Sequence, residues 1–180
     1  MAKDPDAMLV RACLSGDSSA YQVLVGKYTG PLYNVTYRIT RSREDAADAT
    51  QAAFVKAYEK LGAFDFHHRF FSWIYRIAVN EALDLAGRSG RERPLVADGA
   101  SASDDPERDC AATESCQHLE RALQELEPGE RALVVLKHLQ GLSYAEIGEV
   151  VDLPEKTVKS RLFSARHRLR GILIEKGWSP

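Results

Sequence analysis

The segment from residue 155 to residue 168 combines an apolar stripe with polar and basic side chains at helical spacing. Val158, Leu162 and Ala165 recur at i, i+4 and i+7, so they share one face of a predicted helix. The other faces carry Thr157, Lys159, Ser160, Arg161, Phe163, Ser164, Arg166 and Arg168. Side chains near the start of such a helix reach base edges in the major groove, and arginines along it bind phosphates. This chemistry predicts a helix that reads duplex DNA, with a solvated basic face as the alternative.

The residues just before this helix favour the DNA-reading interpretation. Ser143 is followed three residues later by Glu146, which is the spacing of a capping box. The short helix that the box opens has a predicted buried stripe of Tyr144, Ile147 and Val151. Asp152-Leu153-Pro154 then supplies a tight turn, and proline suits a helix start. Residues 143–170 are therefore predicted to form a helix-turn-helix.

Charge is unevenly distributed along the chain, although the net charge is only -2. Residues 104–130 carry nine acidic side chains against Arg108 and Arg121, and residues 154–171 carry six basic ones against Glu155. This split predicts one surface that binds phosphates and another that repels them.

Several classes of protein are disfavoured by the sequence. It shows no signal peptide and no apolar run long enough to cross a membrane, and its three cysteines fit a reducing cytoplasm. Cys110, Cys116 and His118 match no common zinc spacing. We find no glycine-rich phosphate loop, metal-ligand cluster or nucleophile constellation, so we expect neither an enzyme nor a cofactor.

Helical periodicity and the scarcity of strand signals predict an all-α protein. We expect two small helical domains, residues 5–87 and 113–176, joined by a flexible linker of residues 88–112. In the first domain, helices are expected up to about residue 61 and again over 70–85, with a loop between them. Pro31 is expected to kink the second helix or to restart it.

Four ordered motifs resemble extracytoplasmic-function sigma factors of the sigma-70 family, of the sigma-E type. They are FSWIYRIAVN at 71–80, DAADATQAAFVKAY at 45–58, GLSYAEI at 141–147 and TVKSRL at 157–162. The resemblance covers nearly the whole chain outside the linker. It implies two domains, called regions two and four, that bind core RNA polymerase through its clamp and flap and recognise two promoter elements.

The resemblance assigns the minus-ten element to the first domain. The loop from Ala63 to Arg69 would hold a base flipped from the non-template strand. Phe64, Phe66 and His67 offer stacking surfaces, Arg69 a phosphate partner, and Arg76 and Asn80 contacts to the single strand. Phe64 could equally cover the core, and Trp73 is either a core anchor or a melting wedge. Arg76, Asn80, Asp84 and Arg88 are expected on one helix face because they recur every four residues.

The remaining assignments also follow from the resemblance. Lys159, Ser160, Arg161, Phe163 and Arg166 would contact the minus-thirty-five element, and Ser164 stands where related factors often carry arginine, which leaves the preferred sequence open. Asp45, Asp48 and Gln51 would contact the polymerase clamp. Because Ala47 and Ala52 replace frequent glutamates there, holoenzyme assembly is expected to be weak. One hypothesis is that a Ser/Thr kinase strengthens it by phosphorylating Thr50.

Together these observations predict a cytoplasmic, non-enzymatic factor that directs promoter-specific transcription initiation, in a stress or envelope response. Its expected partners are core RNA polymerase and promoter DNA, and an anti-sigma factor is left open. The linker would have to extend, because two helical turns of DNA separate the elements by roughly 70 Å. The alternative is a stand-alone helix-turn-helix regulator.

Overall fold

The computed structural model describes residues 4–92 and 114–177, and the regular structure in both ranges is helical. The first range contains α1 (Ala7–Leu14), α2 (Ser18–Thr40), α3 (Arg43–Glu59), a short 3₁₀ helix (Leu61–Ala63) and α4 (Phe70–Glu92). The second contains α5 (Glu114–Gln124), α6 (Pro128–His138), α7 (Tyr144–Val151) and α8 (Glu155–Glu175). The all-α prediction with two helical domains is confirmed.

Local capping signals set the helix starts in the first domain. The Asp17 carboxylate accepts a hydrogen bond from Ser19 N at 2.9 Å and opens α2. The Ser42 hydroxyl accepts one from Asp45 N at 3.2 Å and opens α3. Each bond satisfies an amide that a helix start would otherwise leave unpaired.

Two helices are longer than expected. α2 continues through Pro31 to Thr40, so of the two alternatives given for Pro31, a kink or a restart, the restart is wrong. α4 reaches Glu92 rather than ending near residue 85, so residues 88–92 of the predicted linker are helical. Helix extension needs only one more residue per hydrogen bond, whereas a new helix needs a costly nucleus. Linker residues 93–112 lie outside the described ranges.

The two domains pack against each other around one continuous apolar core. Leu24, Leu32 and Ile39 of α2 and Phe70 and Ile74 of α4 are fully buried in the first domain. In the second domain the buried core side chains include Leu136, Ile147, Val158 and Leu162. Between the domains, α7 packs on α4 and α6 on α2.

A buried arginine joins the domains at this contact. Arg131 is 4% exposed. Its guanidinium donates hydrogen bonds to Leu123 O at 2.9 Å, to Leu126 O at 2.8 Å and to Ile39 O of α2 at 2.5 Å. Burial, followed by the nearby charge of Arg41, lowers the pKa of Arg131 to about 10, so it remains protonated at neutral pH. Its positive charge is therefore solvated by carbonyl dipoles in place of water.

Candidate nucleic-acid interface

The helix-turn-helix begins with the predicted capping box. Ser143 Oγ accepts from Glu146 N at 3.2 Å, and the Glu146 carboxylate accepts from Ser143 N at 2.9 Å. The bond from Ser143 N is the main reason that the pKa of Glu146 is lowered, and Ser143 Oγ, which donates to the same carboxylate at 2.8 Å, lowers it further. At the far end of α7, Asp152 adopts a left-handed conformation with φ 53° and reverses the chain. The sequence therefore specified both ends of this short helix.

The turn brings the two helices close enough to require a glycine on α7. A Cβ placed on Gly148 would lie 2.7 Å from the carbonyl oxygen of Leu153. Leu153 N also donates to Gly148 O at 3.0 Å. This requirement was not predicted from the sequence, although a glycine inside an amphipathic helix is a signal of close approach.

Helix α8 presents the predicted reading face to solvent. Val158, Leu162 and Ala165 are buried as expected. Lys159, Ser160, Arg161, Phe163 and Ser164 are exposed, Phe163 to 69%, whereas Thr157 is half-buried. An exposed aromatic ring among polar and basic side chains is suited to a partner with apolar base edges or thymine methyl groups.

Three basic residues of α8 have protein partners in this conformation. Lys159 pairs with Glu155 at 2.6 Å and Arg168 with Glu130 at 3.2 Å, both on the surface. Arg166 Nε donates to His138 Nε2 at 3.0 Å. Burial, then the charges of Arg166 and Lys137, lower the pKa of His138, so the neutral imidazole accepts that bond. Exposed ion pairs contribute little free energy, so phosphates can replace these partners at small cost.

In the first domain, α4 carries the predicted polar face. Arg76, Asn80, Asp84 and Arg88 are all exposed, as their spacing indicated. Trp73 is half-buried, with its ring 5.3 Å from that of Phe64. This packing favours the core-anchor interpretation of Trp73.

The loop before α4 divides its aromatic residues between the core and the surface. Phe64 is 6% exposed and packs edge-on against Phe70, which favours the alternative that it covers the core. Phe66 is 37% exposed, and its ring contacts Phe64 edge-on and the Arg11 guanidinium at 4.4 Å. His67 is exposed. Of the predicted stacking residues, Phe66 and His67 are therefore accessible.

A carboxylate that sequence reasoning overlooked organises the two histidines of this loop. Asp65 Oδ1 lies 2.7 Å from His67 Nδ1 and accepts a hydrogen bond from His67 N at 2.9 Å. Its other oxygen is 4.0 Å from His68 Nε2. The backbone bond from His67 is the main reason that the pKa of Asp65 is lowered. Within residues 4–92 and 114–177, no group of three such side chains is arranged to hold a metal ion.

A cleft of about 680 Å³ separates this loop from the helix-turn-helix. Phe64, Trp73 and Arg76 line one side, and Gly148 and Glu149 the other. At its edge Arg69, the predicted phosphate partner, forms an ion pair with Glu146 at 2.8 Å. The two predicted DNA-reading elements thus face each other in this arrangement.

The predicted polymerase-binding residues lie on the outer face of α3. Asp48 and Gln51 are exposed, and Asp45 is half-buried. Val55 and Tyr58 continue this face and are 50% and 57% exposed. Exposed apolar side chains beside polar ones are typical of a protein-binding surface.

The phosphorylation hypothesis for Thr50 is wrong for the folded protein. Thr50 is 5% exposed between α2 and α3. Its hydroxyl donates to Ala46 O at 2.7 Å and lies 3.0 Å from the Thr36 hydroxyl. A kinase cannot reach this oxygen, and a buried phosphate would place about two uncompensated negative charges in the core.

Among the helices that the structure describes, none is both long and apolar enough to span a membrane.

Two family models match the chain in the order of its two domains. The model described as Sigma-70 region 2 matches residues 24–92, and Sigma-70, region 4 matches residues 116–169. The chain is 32% identical to the RNA polymerase sigma-H factor of Pseudomonas aeruginosa, covering 94% of each protein. It is 34% identical to the ECF RNA polymerase sigma-E factor of Escherichia coli strain K12, covering 91% of this chain and 92% of that protein.

Solved structures agree with the sequence relatives. The structure of CnrH in complex with the cytosolic domain of CnrY superposes with a TM-score of 0.73 at 27% identity, covering 94% of this chain and 97% of that chain. The sigma factor RpoE of Bartonella quintana shares the fold, with a TM-score of 0.68 at 20% identity over 85% of this chain and 96% of that one. The chain therefore belongs to the extracytoplasmic-function sigma factors of the sigma-70 family, alternative factors that direct transcription initiation.

Proposed function

We propose that this sigma factor reads a promoter with two separate surfaces, the exposed face of α8 for the duplex minus-thirty-five element and the loop 63–69 with α4 for the unpaired minus-ten element. The exposed start of α8, directly after a capped helix and a tight turn, carries the proposal. Lys159 and Ser160 lie within its first two turns, the part of a recognition helix that reaches base edges.

Duplex reading predicts which side chains matter for sequence and which for overall affinity. Loss of Ser160 removes a donor for base edges, so it should relax discrimination at one or two base pairs, by about 1–3 kcal/mol each. Loss of Arg161 should weaken binding to all sequences alike and flatten the salt dependence. Arg121 is exposed on α5, outside this surface, and Arg121→Ala provides the matched control.

The minus-ten element would be read by the exposed parts of the first domain. Phe66 and His67 offer ring faces to an extruded base, and Arg76 and Asn80 line the adjacent face of α4. Extrusion costs a few kcal/mol, and stacking on an aromatic ring returns about 1–3 kcal/mol per base. Arg69 must exchange Glu146 for a phosphate, which costs little because the pair is solvent-exposed.

Core polymerase would bind at two places. The outer face of α3, with Asp48, Gln51 and the exposed Val55, is the surface that we assign to the clamp. The flap would occupy an apolar groove of about 440 Å³ between α6 and α8, lined by Val134, Leu169, Leu173 and Ile174 with basic residues at its rim. Ile174 is 53% exposed there, which supports a partner-binding role. Ile174→Glu should weaken polymerase binding while leaving duplex recognition by α8 intact.

In vitro transcription with core RNA polymerase on a randomised promoter library tests the proposal. The expected result is enrichment of two sequence blocks about two helical turns apart, with Ser160→Ala altering only the upstream block and Asn80→Ala only the downstream one. The absence of promoter-specific initiation would refute it. Tight, specific duplex binding by the free protein, without co-purification of polymerase, would identify a stand-alone regulator instead.

We further propose that the factor acts in the cytoplasm, in a stress or envelope response, under control of an anti-sigma partner. The likeness to CnrH, whose structure was solved with the cytosolic domain of CnrY, supports such a partner. Purification of the tagged factor from its host under non-inducing conditions should recover this partner in stoichiometric amount.

A further inference from the structure

The chain segment of residues 4–14 precedes the stretch that matches region 2 and has no role in the proposal above. It comprises α1 and the residues leading into it. It packs on α2 and on the 3₁₀ helix at the start of loop 63–69, called the promoter-reading loop below. Asp4 contacts the first residue of α4, where the loop ends, and Arg11 contacts the middle of the loop.

The first contact is at the end of the loop, where α4 begins. The Asp4 carboxylate accepts a hydrogen bond from Phe70 N at 2.8 Å, across 66 residues of sequence. Phe70 is the first residue of α4, and its amide has no partner within the helix. A carboxylate there also interacts favourably with the helix dipole. Asp4 thus fixes the point where the loop turns into α4.

The second contact is in the middle of the loop. The Arg11 guanidinium lies over the Phe66 ring at 4.4 Å from its centroid. Phe66 also meets Phe64 edge-on at 5.1 Å, so its ring is held on two sides and is still 37% exposed. A planar cation on one face of the ring fixes its orientation and adds positive charge beside the surface proposed for a nucleic-acid strand.

The segment itself is anchored firmly to the rest of the domain. Asp6 is 3% exposed and accepts hydrogen bonds from Tyr28 at 2.5 Å and from Lys27 at 2.6 Å. Val10 is fully buried against the core. Asp4 Oδ1 also accepts a hydrogen bond from Asp6 N at 3.3 Å. Because Asp6 and Val10 anchor α1 independently of that bond, Asp4 and Arg11 act on the loop from a rigid support.

We propose that residues 4–14 hold the promoter-reading loop in its binding conformation, with Asp4 and Arg11 as positioning residues for capture of the unpaired base. A loop that is already ordered loses less conformational entropy on binding, so its affinity for the base is higher. This inference rests on the proposed role of the loop. It adds that base capture depends on side chains outside the loop and outside α4.

The test uses the full chain assembled with core polymerase and non-template single strands of the selected minus-ten sequence. Each strand is compared with versions carrying one abasic site, and the capture ratio is the affinity for the intact strand divided by that for the strand abasic at the captured base. Asp4→Ala and Arg11→Ala are each expected to lower this ratio, about fivefold for loss of the cap and two- to fivefold for loss of the stacked cation. Asp4→Asn keeps an acceptor for Phe70 N and should restore most of the ratio, whereas Arg11→Lys keeps only the charge and should restore part.

Two controls separate positioning from general damage. Met8, 81% exposed on the same helix, should tolerate Met8→Ala without effect. Binding of duplex minus-thirty-five DNA should be unchanged in every variant. Unchanged capture ratios in Asp4→Ala and Arg11→Ala, or an equal loss on intact, abasic and duplex DNA, would overturn the inference. If the wild-type holoenzyme shows no preference for the intact strand, the proposed role of the loop fails before any variant is considered.

Discussion

Replacement of Arg131 by methionine tests the inference that a buried guanidinium joins the two domains. Methionine has a similar volume but a shorter side chain without a hydrogen-bond donor, so the change leaves the packed volume roughly constant and removes every bond to the surrounding carbonyls. Arg131 is 4% exposed, so water cannot take its place without local opening.

The expected loss of stability follows from counting which carbonyls keep a donor. Leu123 O still accepts from Leu126 N at 3.3 Å, and Gln124 O still accepts from Arg41 at 3.1 Å. Leu126 O and Ile39 O accept their hydrogen bonds from the Arg131 guanidinium, so both lose this donor in the variant. Two buried carbonyls without partners cost about 1–3 kcal/mol each, and removing a buried charge returns part of this. The free energy of unfolding should therefore fall by about 2–4 kcal/mol.

Urea denaturation of the full chain at neutral pH, followed by circular dichroism, measures this change. Arg121→Met provides the matched control, because Arg121 is exposed and its replacement should change stability by less than about 0.5 kcal/mol. If Arg131→Met is as stable as this control, the carbonyls are satisfied in another way and the reasoning is refuted.

Four further substitutions test the helix-turn-helix and α3. Gly148→Ala should reduce stability by about 1–3 kcal/mol and abolish duplex binding, since its Cβ would lie 2.7 Å from Leu153 O; wild-type denaturation and affinity would contradict this. Ser143→Ala should cost about 0.5–2 kcal/mol through loss of the cap, measured in the same way. Because the pKa of Glu146 is lowered in the folded protein, its stabilising contribution is present above the ordinary glutamate pKa of 4.5 and is lost as the pH falls through the lower folded value. Glu146→Gln should therefore weaken the dependence of the free energy of unfolding on pH in the acid range. An unchanged pH dependence would contradict this assignment. Thr50→Glu should destabilise by more than about 2 kcal/mol and reduce transcription, and a fully active Thr50→Glu would show that the site is not buried in solution.

The features that the sequence predicted well are encoded within one or two helical turns. The capping box of Ser143 and Glu146, the stripe through Val158 and Leu162, and the common face of Arg76 and Asn80 all depend on spacings of three or four residues. Such spacings are translated directly into geometry by the α-helix, so they need no knowledge of the tertiary structure.

The features that the sequence did not predict depend on contacts between distant segments. Nothing in the local pattern pairs Arg131 with Ile39 O, or Arg11 with Phe66, because each pair is brought together only by packing of whole helices. The burial of Thr50 did have a local signal. It lies in the small-residue stripe on which α3 packs, formed by Ala46, Ala49, Ala53 and Ala57. That stripe leaves room for a threonine hydroxyl bonded to its own helix and none for a phosphate.

On the proposed assignment of the two surfaces, the closed arrangement of the two domains is not the one that reads a promoter. The loop and the helix-turn-helix face each other across one cleft, with Arg69 and Glu146 in contact at 2.8 Å, whereas the promoter elements lie roughly 70 Å apart. The exposed Arg69–Glu146 pair contributes at most about 1 kcal/mol to closure, so it yields readily to a DNA phosphate. Separating the domains also exposes the apolar core that they share at the α4–α7 and α2–α6 contacts, and the loss of this burial costs more free energy than the ion pair. Opening is therefore opposed mainly by these apolar contacts rather than by the exposed Arg69–Glu146 pair.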